Sequence, residues 1–177
     1  MIALSTSQLR RNNDKRVRVI RAGETSPMTA PVKHATLIFE RTCAAPIDRV
    51  FGAFADAKER LRWGAPSENT AFFYKEADFR VGGQDVFRCG AKSNPQYLGM
   101  TRYLDIVPNQ RIVSSETVET EGTKLMVSLS ATIFEPEGQA TKVTVTTQVI
   151  SFAGDDMTRG TNAGQNAALD NLVKIMQ

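Results

Sequence analysis

The sequence predicts an α+β domain: one strand, two short helices, six further strands and a long closing helix. Three observations carry this. Apolar and polar residues alternate most clearly in the strand pair between residues 125 and 149, hairpin-length turns separate the strand candidates, and helical spacing takes over only at the C-terminus. A strand-rich body interrupted by Gly82-Gly83 and finished by a long helix is a layout for enclosing a cavity.

The elements follow in order. Ala35, Leu37, Phe39 and Arg41 alternate with Thr36, Ile38, Glu40 and Thr42, a strand with at least one buried face. Pro46 then opens a short helix whose buried stripe is Val50, Phe51 and Phe54. Asp56 suits the cap of a second short helix through Leu61, which ends near Trp63-Gly64 because Pro66 prevents it continuing.

Thr70 to Ala77 reads as a strand carrying Phe72-Phe73-Tyr74, and Gly82-Gly83 supplies a turn with positive φ available. Asp85 to Cys89 reads as its hairpin partner, and Ala91 to Pro95 is turn chemistry. Tyr97 to Val107 and Arg111 to Val118 flank the turn Pro108-Asn109, and Glu121-Gly122 turns the chain again. Leu125, Val127, Leu129, Ala131 and Ile133 share one face, opposite Met126, Ser128, Ser130, Thr132 and Phe134. After the turn at Pro136-Glu137-Gly138, Val143, Val145, Thr147 and Val149 alternate with polar residues. Short connections of this kind make an antiparallel meander.

The last segment differs in kind. Asp155 or Asp156 is expected to cap a helix reaching Met176, with Ala168, Leu169, Leu172, Val173 and Met176 at helical spacing. Gly160, Ala163, Gly164 and Ala167 form a face of small residues, which would let the helix lie close to the sheet or leave space beneath it.

Charge is unevenly placed. Residues 1–32 hold six basic residues against Asp14 and Glu24, a balance of +4, so the rest of the chain sums to −1 against a total of +3. The expected organisation is a basic, flexible leader over 1–32 and one domain over 33–177. Met28 is a plausible natural start, and a nucleic-acid arm is the alternative reading of the leader. The nearly neutral body lacks the basic surface that would grip phosphates, so no nucleic-acid partner is expected. No apolar run approaches the roughly 20 residues that span a bilayer, and no signal peptide is visible, so a cytoplasmic location and no membrane insertion are expected. Cys43 and Cys89 show no metal or redox spacing and read as free thiols.

No catalytic signature emerges. His34 is the one histidine, and the chain has no G-x-S-x-G elbow, H-E-x-x-H helix or Walker loop. No catalytic residue, metal ligand or cofactor is therefore assigned, and the reading leans away from an enzyme. Asp78 and Arg80 lie two apart on an expected strand; they form either a structural charge pair or an anchor for an acidic ligand.

The order Trp63-Gly64-Ala65-Pro66, Asp78-Phe79-Arg80-Val81-Gly82-Gly83, Asp105-Ile106-Val107-Pro108 with Arg111, Gly164, and Leu169-Asp170-Asn171-Leu172 resembles the START-like (Bet v 1-like, SRPBCC) superfamily. Within it, the chain resembles the family named after the activator of Hsp90 ATPase (AHSA1-like). The resemblance covers about residues 33–177. It implies a helix-grip fold: a curved antiparallel sheet of about seven strands around the last helix, with a cavity between them. The family often has Gly-Trp where this chain has Gly164-Gln165, so a large aromatic is missing from that helix.

The function this implies is binding of an apolar or aromatic small molecule. Trp63, Phe72, Tyr74, Arg80, Phe87, Tyr97, Met100, Tyr103 and Glu116 are the candidate ligand-binding residues, with plain core as the alternative for most of them. Tyr97 and Tyr103 share a strand face by even spacing. Two alternatives are a polyketide cyclase- or aromatase-like enzyme and an accessory factor for an Hsp90-type chaperone ATPase. A homodimer could form through an exposed edge strand.

Overall fold

The computed structural model describes residues 31–65 and 67–177. The leader expected over 1–32 lies almost wholly outside the described residues, as does Pro66. The element order is β1 (Lys33–Cys43), α1 (Ile47–Ala55), α2 (Ala57–Trp63), β2 (Thr70–Glu76), β3 (Gln84–Ala91), β4 (Asn94–Val107), β5 (Arg111–Thr120), β6 (Thr123–Glu137), β7 (Ala140–Ser151) and α3 (Asp155–Ile175). All seven strands form one antiparallel sheet in the order β1-β7-β6-β5-β4-β3-β2. Strands two to seven thus form a meander, and β1 crosses over to close its far side.

Register breaks at Tyr74/Glu76, Cys89/Ala91, Tyr103/Asp105 and Val118/Glu119 place an irregularity in each of the four pairings from β2 to β6. Such bulges bend strands and raise local twist, which curves the sheet. Gly99 of β4 lies directly beneath the Phe87 ring, where any Cβ would collide with the ring. The aromatic covers the backbone that the missing side chain leaves open.

The helices begin and end for local reasons. Pro46 precedes α1 in extended conformation, and α1 buries Val50, Phe51, Ala53 and Phe54. The Asp56 carboxylate caps α2, accepting from the Lys58 backbone N–H at 2.6 Å and the Glu59 N–H at 3.3 Å. The cap expected at Asp155 or Asp156 is not formed. Gly154 holds the N-cap position with φ 72°, and both acids sit in the first turn, where the helix dipole favours them. The Ser151 hydroxyl braces this corner by donating to the Gly154 carbonyl at 2.7 Å.

The core lies between the sheet and the C-terminal half of α3. Leu169 and Leu172 are fully buried beside Phe39, Val143, Val145 and the aromatic stripe of α1. Burying each such leucine stabilises the fold by about 1.5–3 kcal/mol. Polar bonds fix the helix on both sides of that apolar ridge. Arg41 of β1 donates to Asp170 at 2.8 Å and to Asn166 at 2.9 Å, and the Asn171 amide donates to the Ala65 carbonyl at 3.0 Å. The Leu169-Asp170-Asn171-Leu172 run therefore docks the helix with every residue in it.

Candidate functional site beneath the last helix

α3 packs on β1, β7 and α2 and hardly touches β3, β4 and β5. The concave face of those central strands is consequently left to its own side chains. Cross-strand register defines two rows there. Thr101 stands opposite Glu116, which stands opposite Ser128; Tyr103, Ser114, Ser130 and Thr147 form the next row. Alternation points both rows toward α3, the same way as buried Ile112 and Met126. The alternation in β6 leaves open which set faces inward. The structure turns the more polar set, Met126 to Phe134, toward the helix and leaves Leu129 45% exposed outside.

This floor is hydroxyl-rich and holds one carboxyl. Thr101 donates to Glu116 Oε2 at 2.9 Å, and the Ser130 and Thr147 hydroxyls share a hydrogen bond of 2.9 Å. Among the described residues, Oε1 of Glu116 has no hydrogen-bond partner. Burial pushes the Glu116 carboxyl above its ordinary range, against a smaller lowering from Thr101. Glu116 nevertheless keeps some accessible surface, as do Tyr97, Thr101, Ser114 and Ser130. These side chains thus stand on the concave face without being consumed by packing.

The helix side agrees. Met157 packs with Val118, Met126 and Val149, and the Thr161 hydroxyl meets Met126 Sδ at 3.3 Å. A side-chain carbon placed on Gly164 would find no atom within 4 Å. Gln165 lies one turn beyond Thr161 and one turn before Leu169, which puts it on the inward face of α3. The wall toward β2 and β3 is aromatic: Phe72 lies 5.2 Å from Tyr74 and 5.3 Å from Phe87, centroid to centroid. Cys89 pairs across to Tyr97 on the same face, and burial first, then Glu116, pushes its thiol up to about 11.

Below this wall sits a network that the sequence reading did not anticipate. Arg60 of α2 is 7% exposed and Asp85 of β3 is 2% exposed. The Arg60 guanidinium donates to Asp85 Oδ2 at 2.9 Å, to the Tyr74 hydroxyl at 3.0 Å, and to the Phe54 and Ala55 carbonyls at 2.5 and 3.0 Å. The Tyr103 hydroxyl donates to Asp85 Oδ2 at 2.6 Å, and the Asp78 backbone N–H donates to Oδ1 at 2.9 Å. The guanidinium also lies 5.0 Å from the Tyr74 ring centroid and 5.6 Å from that of Phe79. Burial raises both phenols, so Tyr74 and Tyr103 act as neutral hydrogen-bonding groups.

The candidate residues divide accordingly. Phe72, Tyr74, Phe87, Tyr97, Tyr103 and Glu116 share the concave face. Met100 lies on the opposite face, directly across from Val86 and Thr117. Trp63 packs 4.9 Å from Phe54 within the core, and its indole N–H donates to the Ala53 carbonyl at 3.1 Å. Asp78 and Arg80 are not on a strand as expected. They lie in the β2–β3 connection, where Gly82 takes φ 80° and Gly83 closes on Asp78 too tightly for a side chain. Arg80 there is 70% exposed and pairs with Asp78 at 2.9 Å. It borders an open groove of about 580 Å³ with Arg102 and Glu76; a second, of about 600 Å³, runs over the convex face past His34, Val127 and Leu129. Both open broadly to solvent. Among the described residues, no cluster of His, Cys, Asp or Glu is placed to hold a metal, and no helix is long and apolar enough to cross a membrane.

The family model "Activator of Hsp90 ATPase homolog 1-like protein" matches residues 44–177. The chain belongs to this family. The Mll3558 protein from Rhizobium loti is 35% identical in sequence, with a TM-score of 0.72 over 81% of this chain and 98% of its own. An uncharacterized protein from Rhizobium leguminosarum is 31% identical, with a TM-score of 0.70 over 82% of this chain and 96% of its own. CalU16 from Micromonospora echinospora is 19% identical, with a TM-score of 0.55 over 83% of this chain and 87% of its own, a likeness of fold alone. A search of the curated proteins gives no match. The family member described here keeps the helix-grip architecture, with Gln165 on the inward face of its closing helix.

Two stability measurements test this geometry. Asp85→Asn leaves the Arg60 charge buried without its counter-charge, which costs about 3–5 kcal/mol in urea unfolding; Tyr103→Phe costs less, about 1.5–3 kcal/mol. Equal losses would show that the charge is solvated. For Glu116 the sign follows from its raised value. Between the ordinary carboxyl range and that value, the folded chain keeps a proton that the unfolded chain has lost. The Glu116 contribution is therefore complete at low pH and fades as pH rises through the folded value. Glu116→Gln is expected to raise Tm relative to the parent at pH 8 and to change it little at pH 4.

Proposed function

We propose that this protein binds an apolar or aromatic small molecule between the concave face of β3–β6 and the N-terminal half of α3. The observation that carries the reading is the set of residues on the concave face, Tyr97, Thr101, Ser114, Glu116 and Ser130, that keep accessible surface. A packed core would have consumed that surface, as it does around Leu169 and Leu172. Aromatic walls with a few convergent polar groups are the usual make-up of a small-molecule site. Family membership supports the architecture but does not choose the ligand.

The test is native mass spectrometry of the purified full chain beside Gln165→Trp. The parent is expected to retain added mass that denaturation removes, or to take up naphthalene as an apolar probe. Gln165→Trp fills the space from the helix side, so it should lose that binding and gain several degrees in Tm. A variant that binds as well as the parent would place the ligand elsewhere.

A polyketide cyclase- or aromatase-like activity is favoured by a single observation, the ionisable Glu116 inside the space. Such an enzyme should speed deuterium exchange at the methyl group of 2-acetylnaphthalene in D₂O, and Glu116→Gln should abolish the effect. No acceleration by the parent would leave simple binding.

A further inference from the structure

Among the described residues, no cation pairs with the carboxyl on the floor. On its own strand, Glu116 is flanked by Ser114 and Val118. Across β4 it meets Thr101, with Gly99 and Tyr103 on either side; across β6 it meets Ser128, with Met126 and Ser130 on either side. β7 adds Thr147 and Val149, and the inward face of α3 adds Met157, Thr161 and Gln165. On β2, β3 and β4 the titratable groups facing this side are Tyr74, Asp85, Cys89, Tyr97 and Tyr103. None of these carries positive charge. Two cations that border this side are engaged elsewhere: Arg60 with Asp85, Tyr74 and two carbonyls, and Arg41 with Asp170 and Asn166.

A carboxyl held in that setting favours its neutral form, which donates one hydrogen bond and accepts others. Thr101 already donates to Oε2, which leaves Oε1 without a hydrogen-bond partner among the described residues. The same face carries Phe72, Phe87, Tyr97, Val118 and Met126, apolar and aromatic surface on which a ring system can pack.

We propose that Glu116 is the specificity-determining anchor of the site, and that the ligand is a neutral aromatic molecule whose carbonyl-type oxygen accepts a hydrogen bond from it. The proposal rests on the small-molecule reading above and names the class of ligand for that same space. An anionic ligand finds no uncommitted counter-charge among the described residues of this floor. Gln165 faces the floor from α3 and supplies a second, uncharged polar group suited to a neutral ligand.

Four probes on one ring frame test it by isothermal titration of the full chain: naphthalene, 2-acetylnaphthalene, 2-naphthoate and 2-naphthylmethylammonium. 2-Acetylnaphthalene is expected to bind about tenfold more tightly than naphthalene, the worth of about 1.4 kcal/mol, and 2-naphthoate more weakly than either. Glu116→Gln, whose amide still donates, should keep most of the acetyl preference; Glu116→Leu should level it while naphthalene still binds. Tightest binding by the ammonium probe, or an acetyl preference that survives Glu116→Leu, overturns the assignment of Glu116 and leaves the pocket standing. Failure of all four probes to bind overturns the small-molecule reading itself, and this inference with it.

Discussion

The buried Arg60–Asp85 pair is the constraint on which the rest of the architecture depends. Taking both charges out of water is costly, and the fold offsets it only by satisfying nearly every polar atom of the pair. To do so it must bring together the C-terminal carbonyls of α1, the body of α2, the start of β3 and the Tyr103 hydroxyl of β4. The two helices are neighbours in the chain, but Asp85 lies 25 residues beyond Arg60 and Tyr103 a further 18. An alternative packing in which α2 slides along the sheet would strand a guanidinium in apolar surroundings. The pair therefore contributes more to the uniqueness of the helix position than to net stability. It also fixes the two phenols that close the aromatic wall.

With one end of the grip so determined, the two halves of α3 take different roles. The C-terminal half completes the core through Leu169 and Leu172 and is tied to β1 and to the end of α2. The N-terminal half spans a floor of hydroxyls with small or polar residues and makes fewer apolar contacts. The same helix is thus a structural element at one end and a roof at the other. The placement follows from composition: residues 155–167 offer Met157 alone as a large apolar anchor, whereas residues 168–176 offer five.

Much of the fold was legible because strand alternation and turn chemistry are local signals. The Pro46 start, the Asp56 cap, the Gly82-Gly83 turn and the β6–β7 pattern all read directly from neighbouring residues. The site was less legible because its decisive partners are remote. Arg60 lies in a run of charges, Lys58-Glu59-Arg60, where the ordinary expectation is a solvated face, and Asp85 is 25 positions away on another element. Parity offered a signal that was not used: Asp85, Phe87 and Cys89 share a face, so an acid there is committed to the interior. The same parity separates Met100 from Tyr97 and Tyr103. Asp78 misled in the other direction, since a bend rather than a strand carries it and Arg80 into solvent. Which face of β6 turns inward could not be read at all, because hydrophobicity alone favours the set that the structure leaves outside.

The uneven anchoring of α3 has a kinetic consequence. Local opening of a fold costs least where few apolar contacts hold it. Here that place is the stretch from Gly154 to Gly164, directly over the hydroxyl floor, while the leucine ridge beyond stays closed. A ligand of the kind proposed would thus exchange through a fraying helix end, with the core acting as the fixed post and no global unfolding required.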